Sequence, residues 1–268
     1  MANTVYANKV LEAKAKDLLT TAVNTRNLMT VDSSLAQEAG MTKTINVYTY
    51  TGRAEEVGVG EGNENRGSIA YVGTDYTVKM VQQAFDYQDE DYMKDNTIVD
   101  NMLKGANQVM VNKMTADFVA ELAKATLSHS AMGFGYEAIV DGIAKLNIED
   151  ESKLFVVIPN AWKAELRKDE DYKSARMGEV IYNGQVGTIC GIPVIATNAL
   201  TDAAYVMSDE AIKLFMKKDV EVEQDRDADT RTNSVYLRTA YIVALVDATK
   251  IAKITKGAEE NGGDLEEI

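Results

Sequence analysis

The chain has 268 residues, 46% of them hydrophobic and 26% charged, a balance that suits a folded protein with a sizeable core and excludes general disorder. With 28 basic against 42 acidic residues, the formal net charge is −14 and the pI about 4.6. Such a surface disfavours sequence-independent nucleic-acid binding, which needs clustered Lys and Arg against phosphate. No apolar run approaches the roughly 20 residues of a membrane span, residues 1–10 lack the basic and apolar parts of a secretory signal, and the lone Cys190 permits no disulfide framework. Folding in a cytosol-like compartment is expected.

Residues 5–30 carry Val10, Leu11, Ala15, Leu18, Leu19 and Val23 at a spacing that predicts a short amphipathic helix, with 31–40 a loose connection. Nothing there is apolar enough for a core of its own, so this stretch reads as an arm. From Thr44 the period becomes two: Ile45, Val47 and Thr49 alternate with Asn46, Tyr48 and Tyr50, and a second β-rich run follows at 69–78 with Tyr71, Val72, Tyr76 and Val78. Between them lies a tip of glycine and charge, 52–67. Two such strands predict a long hairpin, and some 12 residues at about 3.4 Å each reach roughly 40 Å. An isolated two-stranded ribbon is marginal in water and offers two unpaired edges. It makes physical sense lying on something else, for which a neighbouring subunit is the candidate.

Asp86, Asp89, Glu90 and Asp91 form an acidic lead-in to a helix. Over 96–128, Ile98, Met102, Ala106, Val109, Met110, Met114, Phe118, Leu122 and Ala125 make one helical stripe, which predicts a spine about 50 Å long. A second helix is expected over 138–146. The all-apolar run 154–158, ended by Pro159, reads as a strand buried on both faces, and Asn160 as the cap of a helix over 161–167. Residues 169–177 form a charged loop, 180–195 short strands with tight turns, and 205–207 a strand. Asp209 is expected to cap a helix over 210–215, after which 220–223 resumes a strand. Residues 234–246 form a long strand whose second half is apolar on both faces, and the Gly- and Glu-rich tail after Lys256 reads as disordered.

A search for chemistry returns little. The single histidine, His129, has no motif around it for a triad or a zinc site and reads as a capping or surface residue. Cys190, in an apolar strand, reads as a buried inert thiol. Gly58, Gly60 and Gly62 lack the Gly-Lys-Ser/Thr ending of a phosphate loop, and Glu61 and Glu64 would repel phosphate. Asp225, Asp227 and Asp229 begin like a calcium loop, but Thr230 and Tyr236 stand where a glycine and a bidentate glutamate are required, so a charged turn is the better reading. No catalytic residue, cofactor or metal site is expected.

The order of elements (arm, hairpin, spine helix, compact α/β region, return to a long strand) resembles the α+β capsid fold named after phage HK97, over nearly the whole chain. Three stretches are similar to phage coat proteins of that class: Gly178-Glu-Val-Ile-Tyr-Asn-Gly-Gln-Val-Gly-Thr-Ile-Cys-Gly-Ile-Pro-Val-Ile195, Val220-Glu-Val-Glu-Gln-Asp-Arg-Asp227 and Tyr241-Ile-Val-Ala-Leu-Val-Asp-Ala-Thr-Lys250. The resemblance implies an N-terminal arm at 1–40, an extended loop at 41–78, a peripheral domain at 79–130 with 211–256, an axial domain at 131–210, and a flexible tail at 257–268. It implies a non-enzymatic shell subunit forming pentamers and hexamers of an icosahedral phage head. That head would be assembled in the host cytoplasm and enclose double-stranded DNA without binding it specifically. Inter-subunit contacts would fall on Tyr48, Tyr50, Arg53, Glu55, Glu56, Glu61, Glu64, Arg66 and Tyr71 of the extended loop, and Asp169, Glu170, Asp171, Lys173 and Arg176 would approach the capsomer centre. Some members weld their shells through a loop lysine. This chain has none between Thr44 and Val78, so a non-covalent shell is expected. Members with a built-in scaffold carry a long extra segment before the arm, so a separate scaffolding protein, and a portal, are expected partners. An encapsulin-type compartment is the nearest rival. A small α/β enzyme or a tail-tube protein is more distant.

Overall fold

The computed structural model describes residues 8–21, 28–37, 39–64, 66–175 and 187–257. Helix α1 (Asn8–Thr21) and a short strand β1 (Thr30–Asp32) come first. Strands β2 (Thr42–Thr51), β3 (Ser68–Thr77) and β4 (Lys79–Gln88) follow, then the short helix α2 (Asp89–Lys94) and the long helix α3 (Ile98–Leu122). Strand β5 (Leu127–Ala131) and helix α4 (Tyr136–Leu146) lead to β6 (Leu154–Pro159) and the helices α5 (Lys163–Lys168) and α6 (Glu170–Ala175). The hairpin of β7 (Thr188–Ile189) and β8 (Ile192–Thr197) precedes β9 (Ala203–Ser208), β10 (Ile212–Asp227), β11 (Thr232–Leu245) and β12 (Ile251–Lys256).

These strands build a four-stranded sheet, β1-β10-β11-β4, a six-stranded sheet, β5-β12-β9-β6-β8-β7, and a separate ribbon of β2 and β3. Helices α1 and α3 pack on one face of the four-stranded sheet, and α4 packs on the six-stranded one. Strand β6 joins the two bodies. Leu154, Val156 and Ile158 point into the core under α4, while Phe155 and Val157 meet Met114, Phe118 and Leu122 of α3 with Leu214, Tyr241 and Val243. Burial on both faces is what its unbroken apolar run requires.

The spine is shorter than its periodicity predicts. Twenty-five residues give about 37 Å, because the chain turns after Leu122 and 127–131 becomes a strand paired in parallel with β12. Val109, placed in the apolar stripe from sequence, is exposed, and Val99, Leu103 and Val111 are buried instead. His129 therefore lies on β5 rather than at a helix end, its Nε2 3.4 Å from Asp141 Oδ2. The helix expected over 210–215 is the start of β10, since Ile212, Leu214, Phe215 and Met216 are all buried and pair with β11. Residues 163–168 form the helix after Pro159, entered through a 3-10 turn at Asn160–Trp162 with no side-chain cap bond. The charged stretch after Asp169 is helical as far as Ala175, while Arg176 and all but the first residue of the tail expected at 257–268 lie outside the described residues.

Cys190 corrects another expectation. It occupies a two-residue turn between β7 and β8, with φ of 52° followed by Gly191 at 81°, so the thiol stands exposed and contacts the Tyr136 hydroxyl at 3.3 Å. The arm packs on the body, and the connection after it is not wholly loose. Leu11 and Ala15 are fully buried against Val99, Leu103 and Val235, Lys14 pairs with Asp100 at 2.9 Å, and Thr30–Asp32 adds a parallel strand to β10. At the β10–β11 turn the Asp227 carboxylate accepts bonds from Asp229 N and Thr230 Oγ1, which makes the aspartate run a self-bonded turn.

One ion cluster ties three crossover points together. Glu210, between β9 and β10, accepts from Lys153 Nζ at 3.0 Å, just before β6, and from Lys250 Nζ at 2.9 Å, just before β12. These two lysines depress its carboxyl from 4.5 to about 2. A depressed acid adds stability that is complete above its unfolded value and is lost as pH falls through the folded one. The melting temperature of Glu210→Gln should therefore lie below wild type at pH 7, with the gap narrowing below pH 4.5 and closing near pH 2. A gap that persists unchanged at pH 2 would refute this role.

Candidate assembly surface

The ribbon is rooted in the body and free beyond its root. Ile45 and Val78 are buried with Leu35, Phe215, Ala240, Ile242 and Ala244, and Val78 N donates to Met41 O at 2.7 Å. Beside them the Tyr76 hydroxyl donates to Glu121 Oε2 of α3 at 3.2 Å, and the Leu245 N–H donates to the same oxygen at 3.3 Å. Lys124 binds the same carboxylate at 2.6 and 2.8 Å and lies 5.4 Å from the Tyr76 ring centre. Burial, and then the charge of Glu121, raises the Tyr76 phenol above its usual range. The angle at which the ribbon leaves the body is thus set against the spine helix.

Past Asn46 nothing among the described residues covers the ribbon's large side chains. Tyr48, Tyr50, Ile69 and Tyr71 are 65–68% exposed, and Val72 is 71% exposed. Cross-strand register puts Tyr48 opposite Tyr71 and Tyr50 opposite Ile69 on one face, and Val47 opposite Val72 on the other. The Tyr48 and Tyr71 rings stand 6.1 Å apart. One face is therefore aromatic and the other aliphatic, with ten residues per strand reaching about 34 Å.

The tip is closed by local bonds. Gly58 N donates to Glu61 Oε2 and Glu64 N to Glu55 Oε2, both at 3.3 Å, and Glu61 N donates to Gly58 O at 3.1 Å. The Tyr50 hydroxyl and ring lie where a Cβ on Gly67 would stand, so the glycine lets the ring fold across the strand ends. Arg53, Glu56, Arg66 and Val59 remain exposed. The sequence-predicted contact residues are thus gathered on one projecting element, with Glu55 and Glu61 also serving the tip's own shape. At the ribbon's base, a cleft of about 670 Å³ is bounded by Asn46, Val47 and Tyr48 on one side and by Lys153, Glu210, Lys213 and Lys250 on the other.

The second predicted group divides. Asp169 is structural: its Oδ2 accepts from Tyr136 N at 2.6 Å and its Oδ1 from Asp171 N at 2.9 Å, so one carboxylate starts both α4 and α6. The same carboxylate occupies the space a Cβ on Gly135 would need. Glu170 and Asp171 are exposed on α6. Lys173 belongs to that helix, but its side chain, like Arg176, lies outside the described residues. Sequence reasoning missed the ribbon's root (Ile45, Tyr76, Val78 and Glu121) because Glu121 reads there as one more exposed acid on a helix. It also missed β4 and β12. Among the described residues no group of three His, Cys, Asp or Glu is placed to hold a metal, and no helix is long and apolar enough to cross a membrane.

Comparison with known proteins agrees with this geometry. A curated relative, the major capsid protein of Staphylococcus phage phiMR11, is 26% identical over 243 residues, covering 85% of each chain. Among solved structures, the mature capsid of bacteriophage PhiM1 matches with a TM-score of 0.67 at 11% identity, over 87% of this chain and 86% of that one. A virus-like particle from Pyrococcus furiosus matches with a TM-score of 0.64 at 11% identity, over 92% and 98%. The fold is the HK97-like capsid fold. The family model described as phage capsid protein matches residues 71–254, most of the chain, and the chain belongs to that family of structural virion proteins.

Proposed function

We propose that this chain is a major capsid protein, a shell subunit that joins copies of itself as pentamers and hexamers of an icosahedral phage head around double-stranded DNA. The observation that carries the reading is the ribbon of β2 and β3, whose tyrosine and valine faces stand exposed among the described residues. Burying roughly 300 Å² of that apolar surface on a neighbour, at about 25 cal/mol/Å², contributes about 7 kcal/mol before ordering costs. Contacts of that size suffice because each subunit touches several others and closure makes them cooperative. The exposed tip charges Arg53, Glu56 and Arg66 set register and partner choice more than affinity. With a net charge of −14 the wall repels DNA and encloses it without binding it specifically. The peripheral part is the four-stranded sheet with α1 and α3. The axial part is the six-stranded sheet with α4 to α6, and β5 and β12 go with it because they pair there. Exposed Glu170 and Asp171 belong to the capsomer-centre edge, with Lys173 and Arg176 beside them in sequence.

Replacing residues 52–67 with a short turn should leave a folded subunit that no longer closes shells. Wild-type particles from that variant, seen by electron microscopy, would refute the role of the ribbon tip. No lysine lies between Thr44 and Val78, which supports a shell without covalent welds. Denaturing electrophoresis of intact particles should give one band near 29.4 kDa, against a ladder if subunits are bonded. Ribbon contacts leave shell curvature under-determined, which is the physical role of a separate scaffolding protein and of a portal, acting in the host cytoplasm. Uniform, closed shells from the chain expressed alone would overturn that part of the reading.

A further inference from the structure

The sheets end in edges of very different lengths. Among the described residues, β1, β5 and β7 close their sheets with three, five and two residues, whereas β4 ends the four-stranded sheet with ten. Natural edge strands are blunted by shortness, charge, proline or bulges. Strand β4 is long and has neither proline nor bulge. Its register with β11 runs unbroken from Lys79 to Gln88, and it carries only Lys79 and Asp86 as charges. The bond from Asp89 N to Arg231 O fixes the alternation, so Met80, Gln82, Ala84, Asp86 and Gln88 turn their backbone N–H and C=O groups away from β11. Met80 is also 61% exposed.

The ribbon offers edges of the same length. The bond from Val78 N to Met41 O fixes its alternation, turning the backbone groups of Thr42, Thr44, Asn46, Tyr48 and Tyr50 outward on β2. On β3 the outward residues are Ile69, Tyr71, Gly73, Asp75 and Thr77. The β2 edge is uncharged, whereas the β3 edge carries Asp75, which would add a second carboxylate to a seam that already holds Asp86, in a chain that is already acidic.

We propose that the outer edge of β4 receives the outer edge of β2 from a neighbouring copy, extending the four-stranded sheet across the subunit boundary. This rests on the reading of the ribbon as an inter-subunit arm and names the surface that takes it. Antiparallel pairing at full overlap matches five outward residues with five. It sets Tyr50 of the neighbouring copy beside Met80 and Tyr48 beside Gln82 on the open face of the sheet, where the thioether meets an aromatic ring. Backbone bonds supply adhesion that depends little on sequence, and the tyrosines supply the register.

Hydrogen exchange compared between soluble subunits and assembled particles tests this. On assembly, the amides of Met80, Gln82, Ala84, Asp86 and of Thr44, Asn46, Tyr48 should slow by more than about tenfold, while those of Ile69, Tyr71 and Gly73 should change little. Protection of the ribbon without protection of β4 would overturn the pairing and leave the ribbon's role standing; protection of neither would overturn both. Slowing on β3 in place of β2 would overturn the strand assignment. Ala84→Pro removes one outward donor without touching the β11 ladder, so it should give a folded subunit that fails to close shells. Wild-type particles from it would count against the proposal, and should the variant misfold, the exchange comparison on the unmodified chain still decides.

Discussion

The second half of α3 is wedged between two sheets, and most of the architecture depends on that packing. Phe118 and Leu122 are completely buried, in contact with strands from both sheets. In the same wedge the Tyr241 hydroxyl donates to Asp117 Oδ2 at 2.9 Å. Burial, reinforced by the Asp117 charge, holds the Tyr241 phenol far above its usual range, so it stays a donor at any ordinary pH. A bond of this kind to a charged acceptor contributes about 1.5–3 kcal/mol, and it fixes the rotation of the helix about its axis. One turn further on, that rotation carries Glu121 to the ribbon's root. The core thus determines the ribbon's direction through consecutive acids on one helix face.

Legibility in the sequence followed how local each signal was. The ribbon was readable because period-two alternation at Ile45–Tyr50 and a glycine-rich tip are short-range features, and β6 was readable because an unbroken apolar run ended by proline has few other uses. The start of β10 was not. Asp209 followed by Glu210 and an apolar stretch looks like a capped helix, and only the ladder to Tyr241–Leu245 makes it a strand. The spine was overextended for a related reason: Ala125 continues the helical spacing, and what ends the helix is the demand of β12 for a parallel partner at Leu127–Ala131. Cys190 was misjudged because its apolar neighbours Ile189 and Ile192 are buried while the turn between them is not. Of the site, the exposed tyrosines were legible, whereas the root contacts with Glu121 required the fold.

The distribution of charge separates two tasks that compete in any self-assembling protein. A subunit must stay soluble while exposing surfaces meant for its own copies. Residues 259–267 hold five acids and no base, and the ribbon tip holds four acids against two bases, while the edges of β2 and β4 are nearly free of charge. Repulsion between net charges of −14 acts at long range and is screened over about 8–10 Å in physiological salt. It slows random encounters more than it weakens a contact already made. Neutral edges then avoid placing like charges directly opposite each other at close range.

A ribbon of this kind also explains why the body can be well packed without being self-sufficient. Ile45 and Val78 close the core at the root, so the fold of a single subunit is complete at that point. Everything from Asn46 outward adds backbone to be ordered and little burial to offset it. In isolation the distal ribbon therefore opens far more readily than the sheets beneath it. On the proposed reading, association would change that balance without altering the core, because the surface it would cover lies wholly beyond the root. Stability of the subunit and stability of the shell would in this way be carried by different residues, joined at the root by Ile45, Val78 and the Tyr76–Glu121 bond.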